Sequence, residues 1–496
     1  MPRAAGRDAV ELFDLPRKLI VMAAPYPRDL VGYGREPPQA RWPGDARLAL
    51  QFVINYEEGG ESCILHGDAA SEAFLSEIVG ATAWPGQRHM NMESIYEYGS
   101  RAGYWRLYRM FTTRGLPVTV FGVATAMARH PDIVASMNEA GWEIASHGLK
   151  WIDYKDVAKP DETADIHEAI RIHSAVAGAR PLGFYQGRGS AHTLDIVMEE
   201  QGFLYSADSY ADDLPYWVEG PHGPQLIVPY TLDANDMRFA TQQGFNSGDQ
   251  FFAYLKDSFD VLYAEDAAAP KMMSIGLHCR LAGRPGRAAA LARFLDYARD
   301  HDKVWVATRL AIARHWIKTH PPKGGYVPSR MPRALFVERF GDVFEHTPQI
   351  AERAHLAGLS AAQDTADGLH AALMRAMRAM TRNEKLALIK AHPELAGREA
   401  ATAALTKDST SEQGRLGFTA LTRAELDRVS DINRRYREKF GFPAIVALAR
   451  HATSATVIAE MEHRVGNDAD TEIANALDEI GHIARARIGR KFAETI

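Results

Sequence analysis

The sequence predicts a two-domain protein, an α/β domain followed by an all-α domain, and two observations carry this prediction. Short apolar runs alternate with amphipathic stretches of helical spacing up to about residue 318. Such alternation is typical of a parallel sheet or barrel. Beyond the next few residues, apolar residues recur at helical spacing almost throughout. We therefore expect a distorted β/α barrel over residues 1–318, a linker over 319–334 and a helical bundle over 335–496.

Apolar runs that are bounded by turn residues predict the strands of the first domain. These runs are ARLALQFVINY, LPVTVFGVA, WEIASHG, PLGFYQGRGS, LIVPYTL, KMMSIGLHC and VWVATRL. The intervening helical stretches SRAGYWRLYRMFTTRG, HPDIVASMNEAG and AHTLDIVMEEQG each end at Gly, a common helix stop. Because ligands bind at the carboxyl ends of parallel strands, we expect the residues that follow these runs to form a site.

A linker candidate predicts where the second domain begins, and two apolar patterns predict that this domain is helical. The stretch KTHPPKGGYVPSRMPRALF is rich in Pro and Gly, so it is the best linker candidate. Beyond it, Thr422 and Glu425 have the spacing of a capping box. Two apolar stripes follow, formed by Leu426, Val429, Ile432 and Tyr436 and by Ile473, Leu477, Ile480 and Ile483.

Composition and charge exclude several classes of function. The formal net charge of −6 argues against a nucleic-acid partner, because phosphate binding needs a basic surface. The two cysteines, Cys63 and Cys279, cannot form a disulfide framework and fit a reducing compartment. No apolar run reaches the roughly 18–20 residues of a membrane span, and the first twenty residues lack the apolar core of an export signal. We therefore expect a cytoplasmic protein with small-molecule substrates and no membrane partner.

Acidic and imidazole side chains follow several of the predicted strands of the first domain. Carboxylates and imidazoles at strand ends are the groups that hold metals or perform acid–base catalysis. The segments NYEEGGE, SHGLKW, FYQGRGS, YSADSYADDLPYW and SIGLHC supply them, with Glu57, Glu58, His147, Trp151, Arg188, Asp208 and His278.

The order of these motifs resembles the polysaccharide deacetylase (NodB homology) family over residues 15–315, and within it the allantoinases recruited from that family. The family's first motif normally carries two aspartates, a base and a metal ligand, where this chain has Glu57 and Glu58. Its second motif is normally His-x-x-x-His, and here Trp151 replaces the second histidine after His147. An indole cannot coordinate a metal, because it carries only an N–H donor. The resemblance therefore implies the metal-free allantoinase subgroup, with no metal and no cofactor.

The resemblance also implies roles in allantoin hydrolysis. Glu57 is the expected general base for water and His278 the acid for the leaving nitrogen. Arg188 is expected to bind a ring carbonyl or to stabilise the oxyanion. The structural alternatives are an imidazole that only supports a strand end, and a Glu58 that caps a helix or pairs with Arg188. The remaining predicted substrate contacts are Glu58, His147, Trp151 and Asp208.

Four separated motifs stand out in the helical region. They are FGDVFEHTP (340–348), AHPELAG (391–397), STSEQGRLGF (409–418) and EKFGFPAI (438–445). Pro393 restricts the residue before it, which holds the His392 imidazole on a rigid turn. Gly441 and Pro443 interrupt an apolar helical pattern, and such breaks bring backbone N–H groups close to a ligand.

These motifs resemble the 2-oxo-4-hydroxy-4-carboxy-5-ureidoimidazoline (OHCU) decarboxylases over residues 335–490. The resemblance implies that His392 and Glu412 are catalytic and that no cofactor is needed, since the imidazolone ring delocalises the electrons left by CO₂. It also implies an arginine that anchors the substrate carboxylate, Arg487 or alternatively Arg464. Ala444 stands where the family often carries phenylalanine. The implied substrate contacts are Gln413, Gly441 and Arg487.

Together the two resemblances predict a bifunctional urate-degrading enzyme, a homo-oligomer that converts OHCU to (S)-allantoin and allantoin to allantoate. One alternative is a carbohydrate or peptidoglycan N-deacetylase with an appended helical module, against which Trp151 argues. A second alternative is a binding protein, an inactive barrel with a helical interaction domain. The paired acid and base candidates of both domains argue against that second alternative.

Overall fold

A computed structural model describes residues 28–76, 78, 80–265, 269–395 and 421–493. The chain divides into two compact units, residues 1–39 and residues 40–496. In the first unit, Asp29 Oδ1 accepts hydrogen bonds from the backbone N–H groups of Val31 and Gly32, at 2.8 and 3.1 Å. The second unit contains all the strands and helices that are described below.

A nine-stranded sheet forms the centre of the first domain. Its strands are β1 (Leu48–Tyr56), β2 (Thr119–Gly122), β3 (Glu143–Ser146), β4 (Gly183–Phe184), β5 (Tyr205–Ser206), β6 (Tyr216–Gly220), β7 (Gly223–Ile227), β8 (Lys271–His278) and β9 (Val304–Val306). Their order in space is β6-β7-β5-β4-β3-β2-β1-β8, and β9 also pairs with β1. All pairings are parallel except that of β6 with β7. This sheet confirms the predicted barrel-like α/β domain.

Strand β1 is the central strand, and its sequence explains its place. All nine of its residues are buried, as expected of a parallel strand that is covered on both faces. Strand β8 pairs with β1 from Leu48 to Asn55, and β2 pairs with the second half of β1. Asn55 lies directly opposite His278. The residues that follow β1 and the end of β8 therefore lie at the same edge of the sheet.

Helices surround the sheet. They are α1 (Met90–Tyr98), α2 (Tyr104–Thr112), α3 (Ala124–Arg129), α4 (Pro131–Glu139), α5 (Lys159–Ala177), α6 (Thr193–Glu200), α7 (Gly248–Ala264), α8 (Pro285–Arg299) and α9 (Arg309–Thr319). A π-helical turn at 99–103 joins α1 to α2 and includes the start of the predicted helical stretch SRAGYWRLYRMFTTRG, which begins at Ser100. Because a Cβ at Gly103 would overlap the Cys279 carbonyl, this turn approaches the residues after β8 closely. Turns of this kind often occur at functional sites.

The described part of the second domain is helical, as predicted. Its helices are α10 (Arg333–Phe340), α11 (Gln349–Leu356), α12 (Ala366–Arg378) and α13 (Arg382–Ala391), followed by the helices Arg423–Phe440, Ser454–Arg464 and Ala469–Ala493. The predicted capping box of Thr422 and Glu425 is present. Val429, Ile432 and Tyr436 are buried, whereas Leu426 lies at the margin of the stripe and is 36% exposed.

The segment between the domains packs against the barrel. The Trp217 indole N–H donates to the His320 carbonyl at 2.8 Å, and the Ala334 N–H donates to the Gln201 carbonyl at 2.9 Å. Arg333 Nη2 lies 3.1 Å from Glu200 Oε1. These contacts attach both ends of the segment to the sheet domain, and the boundaries at 319 and 334 stay a prediction.

Within the described ranges, no helix has both the length and the apolar character that crossing a membrane requires.

Candidate active sites

Three side chains predicted from the first domain meet beyond the ends of β1, β3 and β8. Glu57 Oε1 lies 3.3 Å from His147 Nε2 and 3.4 Å from His278 Nε2. Parallel pairing through β2 explains the meeting, because it brings the carboxyl ends of β1 and β3 together. All three side chains are buried. The structure therefore assembles the predicted acid–base cluster from residues 90 and 131 positions apart.

His278 is held by a carboxylate that the sequence did not single out. Asp236 Oδ1 lies 2.6 Å from His278 Nδ1. Its Oδ2 accepts from the backbone N–H groups of His278 and Ala282, each at 2.8 Å. A carboxylate on Nδ1 fixes the tautomer and ring orientation, which leaves Nε2 directed at Glu57. Asp236 thus orients the predicted acid.

The environment separates the pKa values of the predicted base and acid. Burial alone would raise the pKa of Glu57, but Arg280 and His278 outweigh it and hold that pKa well below its usual range. Burial likewise opposes the charge of His278, yet Glu57 and Asp236 raise its pKa to about 9. At neutral pH Glu57 is therefore ionised and His278 is protonated, which are the states that a general base and a general acid require.

Glu58 faces away from this pair. Its Oε2 accepts from the Glu57 N–H at 3.1 Å, and its Oε1 accepts from the Arg280 N–H at 3.2 Å. A Cβ at Gly99 would overlap its carboxylate, so Glu58 packs against the π-helical turn. Burial raises the pKa of Glu58. Its substrate contact stays a prediction, and its observed partners favour a structural role.

A cavity of about 450 Å³ opens beside the Glu57–His278 pair. Arg188 lines it and is held by Glu72, with Nη1 3.3 Å from Glu72 Oε2. The Trp151 ring also lines it, 4.9 Å from the His147 ring and 5.3 Å from the Arg188 guanidinium carbon. The other polar or aromatic lining residues include Asn55, Tyr185, Tyr210, Tyr230 and Asn235. The cavity is within the size range of small-molecule sites.

Asp208 holds the loop that carries Arg188. Its two carboxylate oxygens accept from the backbone N–H groups of Gln186 and Gly187, at 2.8 and 2.7 Å. Burial raises the pKa of Asp208 to about 6. Because both oxygens serve the backbone, these contacts favour a positioning role, and the substrate contact of Asp208 stays a prediction.

The wider deacetylase family holds a metal at this edge of the sheet, and the side chains of this chain do not fit one. Trp151 fills the place of the second histidine. The Arg280 guanidinium lies 2.7 Å from Glu57 Oε2 and 3.6 Å from Glu58 Oε1, on the oxygens that a metal would need. Across the described ranges, no three His, Cys, Asp or Glu side chains are arranged to hold a metal ion. These contacts do not favour a metal, and the metal-free site stays a prediction.

The predicted histidine of the helical domain is buried at the end of α13. His392 Nδ1 lies 2.9 Å from the Leu388 carbonyl, which assigns the proton to Nδ1 and makes Nε2 the acceptor nitrogen. Burial lowers the pKa of His392 to about 4, and the charges of Glu345 and Arg487 also act on it. The buried Arg487 contacts Glu345 Oε2 through Nη1 at 2.8 Å. His392 is therefore a neutral base next to a fixed arginine.

The other predicted residues of this domain have different surroundings. Arg464 binds Glu472 and donates to the Ile445 carbonyl at 2.8 Å, so it supports the FGFPAI segment. It also lines a cavity of about 740 Å³ that His392 and Arg487 do not line. Gly441 ends the helix Arg423–Phe440 with φ +75°, a left-handed conformation that favours glycine. Glu412 and Gln413 lie outside the described residues.

The charged residues Asp236, Arg280 and Glu345 contact predicted site residues and were absent from the predicted set. Arg280 follows His278 by two residues, directly after the end of β8, so its place after a strand was a signal of the same kind as that of His278. Glu345 belongs to the FGDVFEHTP motif, so membership of that motif is the sequence signal that points to it. Asp236 lies in LDANDM, where no local feature distinguishes it from Asp233.

The fold and the two sites define a two-domain enzyme, with an acid–base pair at the strand ends of a parallel sheet and a neutral histidine in a helical domain. Sequence profiles agree with this division, since residues 91–202 match polysaccharide deacetylase and residues 329–489 match OHCU decarboxylase. The chain belongs to both families, to the polysaccharide deacetylases through its α/β domain and to the OHCU decarboxylases through its helical domain.

Individual relatives each match one of the two domains. A Schizosaccharomyces pombe protein named putative polysaccharide deacetylase is 40% identical over 316 residues, 60% of this chain and 98% of that protein. The solved structure of Puue allantoinase is 60% identical, with a TM-score of 0.59, over 60% of this chain and 98% of that one. The 2-oxo-4-hydroxy-4-carboxy-5-ureidoimidazoline decarboxylase of Haloferax volcanii is 35% identical over 165 residues, 33% of this chain and 94% of that protein.

Proposed function

We propose that this chain decarboxylates OHCU to (S)-allantoin in its helical domain and hydrolyses allantoin to allantoate in its α/β domain. The observation that carries the second activity is the Glu57–His278 pair, whose facing atoms lie 3.4 Å apart beside the cavity. The 60% identity to Puue allantoinase supports allantoin as the substrate. The product of the first reaction is the substrate of the second, so the two activities form consecutive steps.

The hydrolysis follows from the protonation states of the pair. Glu57 Oε1 takes a proton from water, and the water oxygen attacks the ring carbonyl carbon. The ring C–N bond then breaks, and His278 gives its Nε2 proton to the leaving nitrogen. Glu57 now holds a proton and His278 lacks one, and transfer across their direct contact restores both. No metal takes part in these steps.

The cavity wall would orient allantoin for this attack. Arg188 carries a fixed positive charge at the cavity and is anchored by Glu72, so it suits a ring carbonyl or the developing oxyanion. Asn55 donates through Nδ2 to Tyr230 and to the Leu277 carbonyl, so its Oδ1 is the group that suits an N–H of the ureido group. Trp151 and Tyr185 provide flat apolar walls for a planar ring.

The decarboxylation follows from the neutral His392. Its Nε2 lone pair takes the substrate hydroxyl proton or, once protonated, returns a proton to the carbon that has lost CO₂. The electrons of the broken C–C bond enter the imidazolone ring. Arg487, fixed by Glu345, is placed to hold the substrate carboxylate. Glu412 and Gln413 complete the site in this proposal.

Reciprocal variants test the proposal. The wild-type chain, Glu57→Gln and His392→Ala are each assayed with OHCU and with allantoin. We expect Glu57→Gln to lose only allantoin hydrolysis and His392→Ala to lose only OHCU decarboxylation. Each retained activity reports that the unsubstituted domain is folded, and circular dichroism with thermal unfolding reports the fold of the substituted one. A wild-type chain that acts on neither compound, but releases acetate from an N-acetylated sugar polymer, would instead support the deacetylase alternative.

A further inference from the structure

Arg280 is a fully buried arginine that lies directly behind the base of the α/β site. It follows β8 by two residues, and its side chain is 0% exposed. Its Nη2 lies 2.7 Å from Glu57 Oε2, and its Nη1 lies 3.6 Å from Glu58 Oε1. Its guanidinium carbon lies 4.2 Å from the centre of the Tyr96 ring. Among the described residues, it is the one arginine or lysine that forms an ion pair with either glutamate.

The two oxygens of Glu57 have different partners. Oε1 faces the imidazoles of His147 and His278, and Oε2 faces Arg280. Glu57 lines the cavity, whereas Arg280 does not. Arg280 therefore acts on the reaction through Glu57 and does not contact the substrate. Its contact with Oε2 decides which oxygen is presented to water.

Because Glu57 and Glu58 are buried side by side, they need a positive charge next to them. Adjacent carboxylates in a site closed to solvent repel each other and lose their hydration, so they need a compensating charge. A divalent cation would supply it in a site built from metal ligands. Here the guanidinium supplies it instead, and it keeps its charge at any pH that the protein tolerates.

Arg280 also connects the base to the cavity wall. Its Nε donates to the Leu75 carbonyl at 3.0 Å. Leu75 has φ +49°, a conformation that L side chains rarely adopt, and both Leu75 and its neighbour Phe74 line the cavity. One side chain therefore contacts the base on one side and a segment that lines the cavity on the other.

We propose that Arg280 is the resident cation of this site, a positioning residue that takes the place of a metal by neutralising Glu57 and Glu58 and by fixing Oε1 of Glu57 toward the attacking water. This inference rests on the proposed allantoin hydrolysis. A wild-type chain that fails to hydrolyse allantoin would refute that function before Arg280 is tested. A role for Arg280 is therefore judged only from variants of an active protein.

The test compares Arg280→Lys, Arg280→Met and Arg280→Ala with the wild-type chain. The neutral variants should lower kcat for allantoin by about 10²-fold or more, with KM changed by less than about threefold, because the substrate does not contact Arg280. Arg280→Lys should keep an intermediate kcat, since it keeps the charge and loses the planar fork. Arg284→Met, four residues further on, is the matched control and should keep the wild-type rate.

Chemical rescue separates positioning from mere structural support. Methylguanidinium, added below the concentration at which the protein unfolds, should raise kcat of Arg280→Ala and leave Arg280→Met unchanged, since the methionine fills the vacated space. Circular dichroism and thermal unfolding of each variant report whether the α/β domain is folded, since OHCU decarboxylation reports only on the helical domain, and Arg280→Lys supplies the kcat measurement if the neutral variants fail to fold. Folded variants with wild-type kcat, or an Arg280→Lys variant whose loss lies in KM, would overturn the proposal.

Discussion

Replacing Asp236 with asparagine should change the pH dependence of allantoin hydrolysis in a direction that the structure fixes. His278 must be protonated to act as the acid, so activity falls as the pH rises through its pKa. Glu57 and Asp236 raise that pKa from 6.5 to about 9, which corresponds to about 3 kcal/mol in favour of the imidazolium. Removing one of the two carboxylates should lower the pKa by about one unit, and the alkaline limb should move down with it.

The same substitution should also lower the rate. Asp236 accepts from His278 Nδ1 and from two backbone N–H groups, those of His278 and Ala282. An asparagine has one oxygen for these three donors, so at least one buried donor loses its partner at a cost of about 1–3 kcal/mol. We expect kcat to fall by about 10²-fold because the imidazole is no longer held in one orientation.

The assay is the initial rate of allantoate formation from about pH 5 to about pH 10, with the rate without enzyme subtracted, fitted as log kcat/KM. Asp233→Asn is the matched control, because Asp233 is exposed three residues earlier and bonds Thr231 and Tyr254. It should keep the wild-type profile. An alkaline limb that stays at the wild-type position in Asp236→Asn, with decarboxylation intact, would refute the assigned relation between Asp236 and His278.

Further predictions concern the other groups. Glu57→Gln should reduce allantoin hydrolysis by about 10³-fold at every pH, since an amide cannot accept the water proton, and a rate within tenfold of wild type would refute its role as base. His392→Ala should slow OHCU decarboxylation by about 10²-fold or more. Decarboxylation by the wild-type chain should persist down to about pH 4, because His392 becomes protonated only there. A loss of decarboxylation near the ordinary histidine pKa of 6.5 would contradict this assignment. Arg487→Lys should mainly raise KM for OHCU, by about tenfold, because a lysine cannot bind a carboxylate with two parallel hydrogen bonds. Exhaustive chelation should leave both rates unchanged, and activity that is lost and then restored by zinc would show that the barrel uses a metal.

The fold was predictable from the sequence because hydrophobic pattern and chain order carry it. The run LALQFVINY is apolar throughout, as a strand buried on both faces must be, and it forms the central β1. The capping box at Thr422 fixes a helix start through local hydrogen bonds alone. The π-helical turn at 99–103 was not predictable, because it arises from the close approach of Gly103 to Cys279, far away in sequence.

The site was predictable only where a residue follows a strand. Glu57, His147 and His278 do so, and parallel pairing brings them together. Asp236 reaches His278 from an irregular segment whose path depends on packing against β8, through a bridge from Asn235 to Gly276. The family pattern predicts Arg188, the arginine between two glycines, as the arginine of the site. It makes no prediction for Arg280. Only the structure shows that Arg280, and not Arg188, contacts Glu57.

The most direct test of the central claim, two consecutive reactions in one chain, is a time course followed by NMR after freshly prepared OHCU is added to the purified protein. We predict that OHCU disappears, that (S)-allantoin rises and then falls, and that allantoate accumulates as the final product. With Glu57→Gln, allantoin should accumulate and remain. If the wild-type time course ends at allantoin, or if OHCU decays no faster than without protein, the account of this chain as a bifunctional enzyme is wrong.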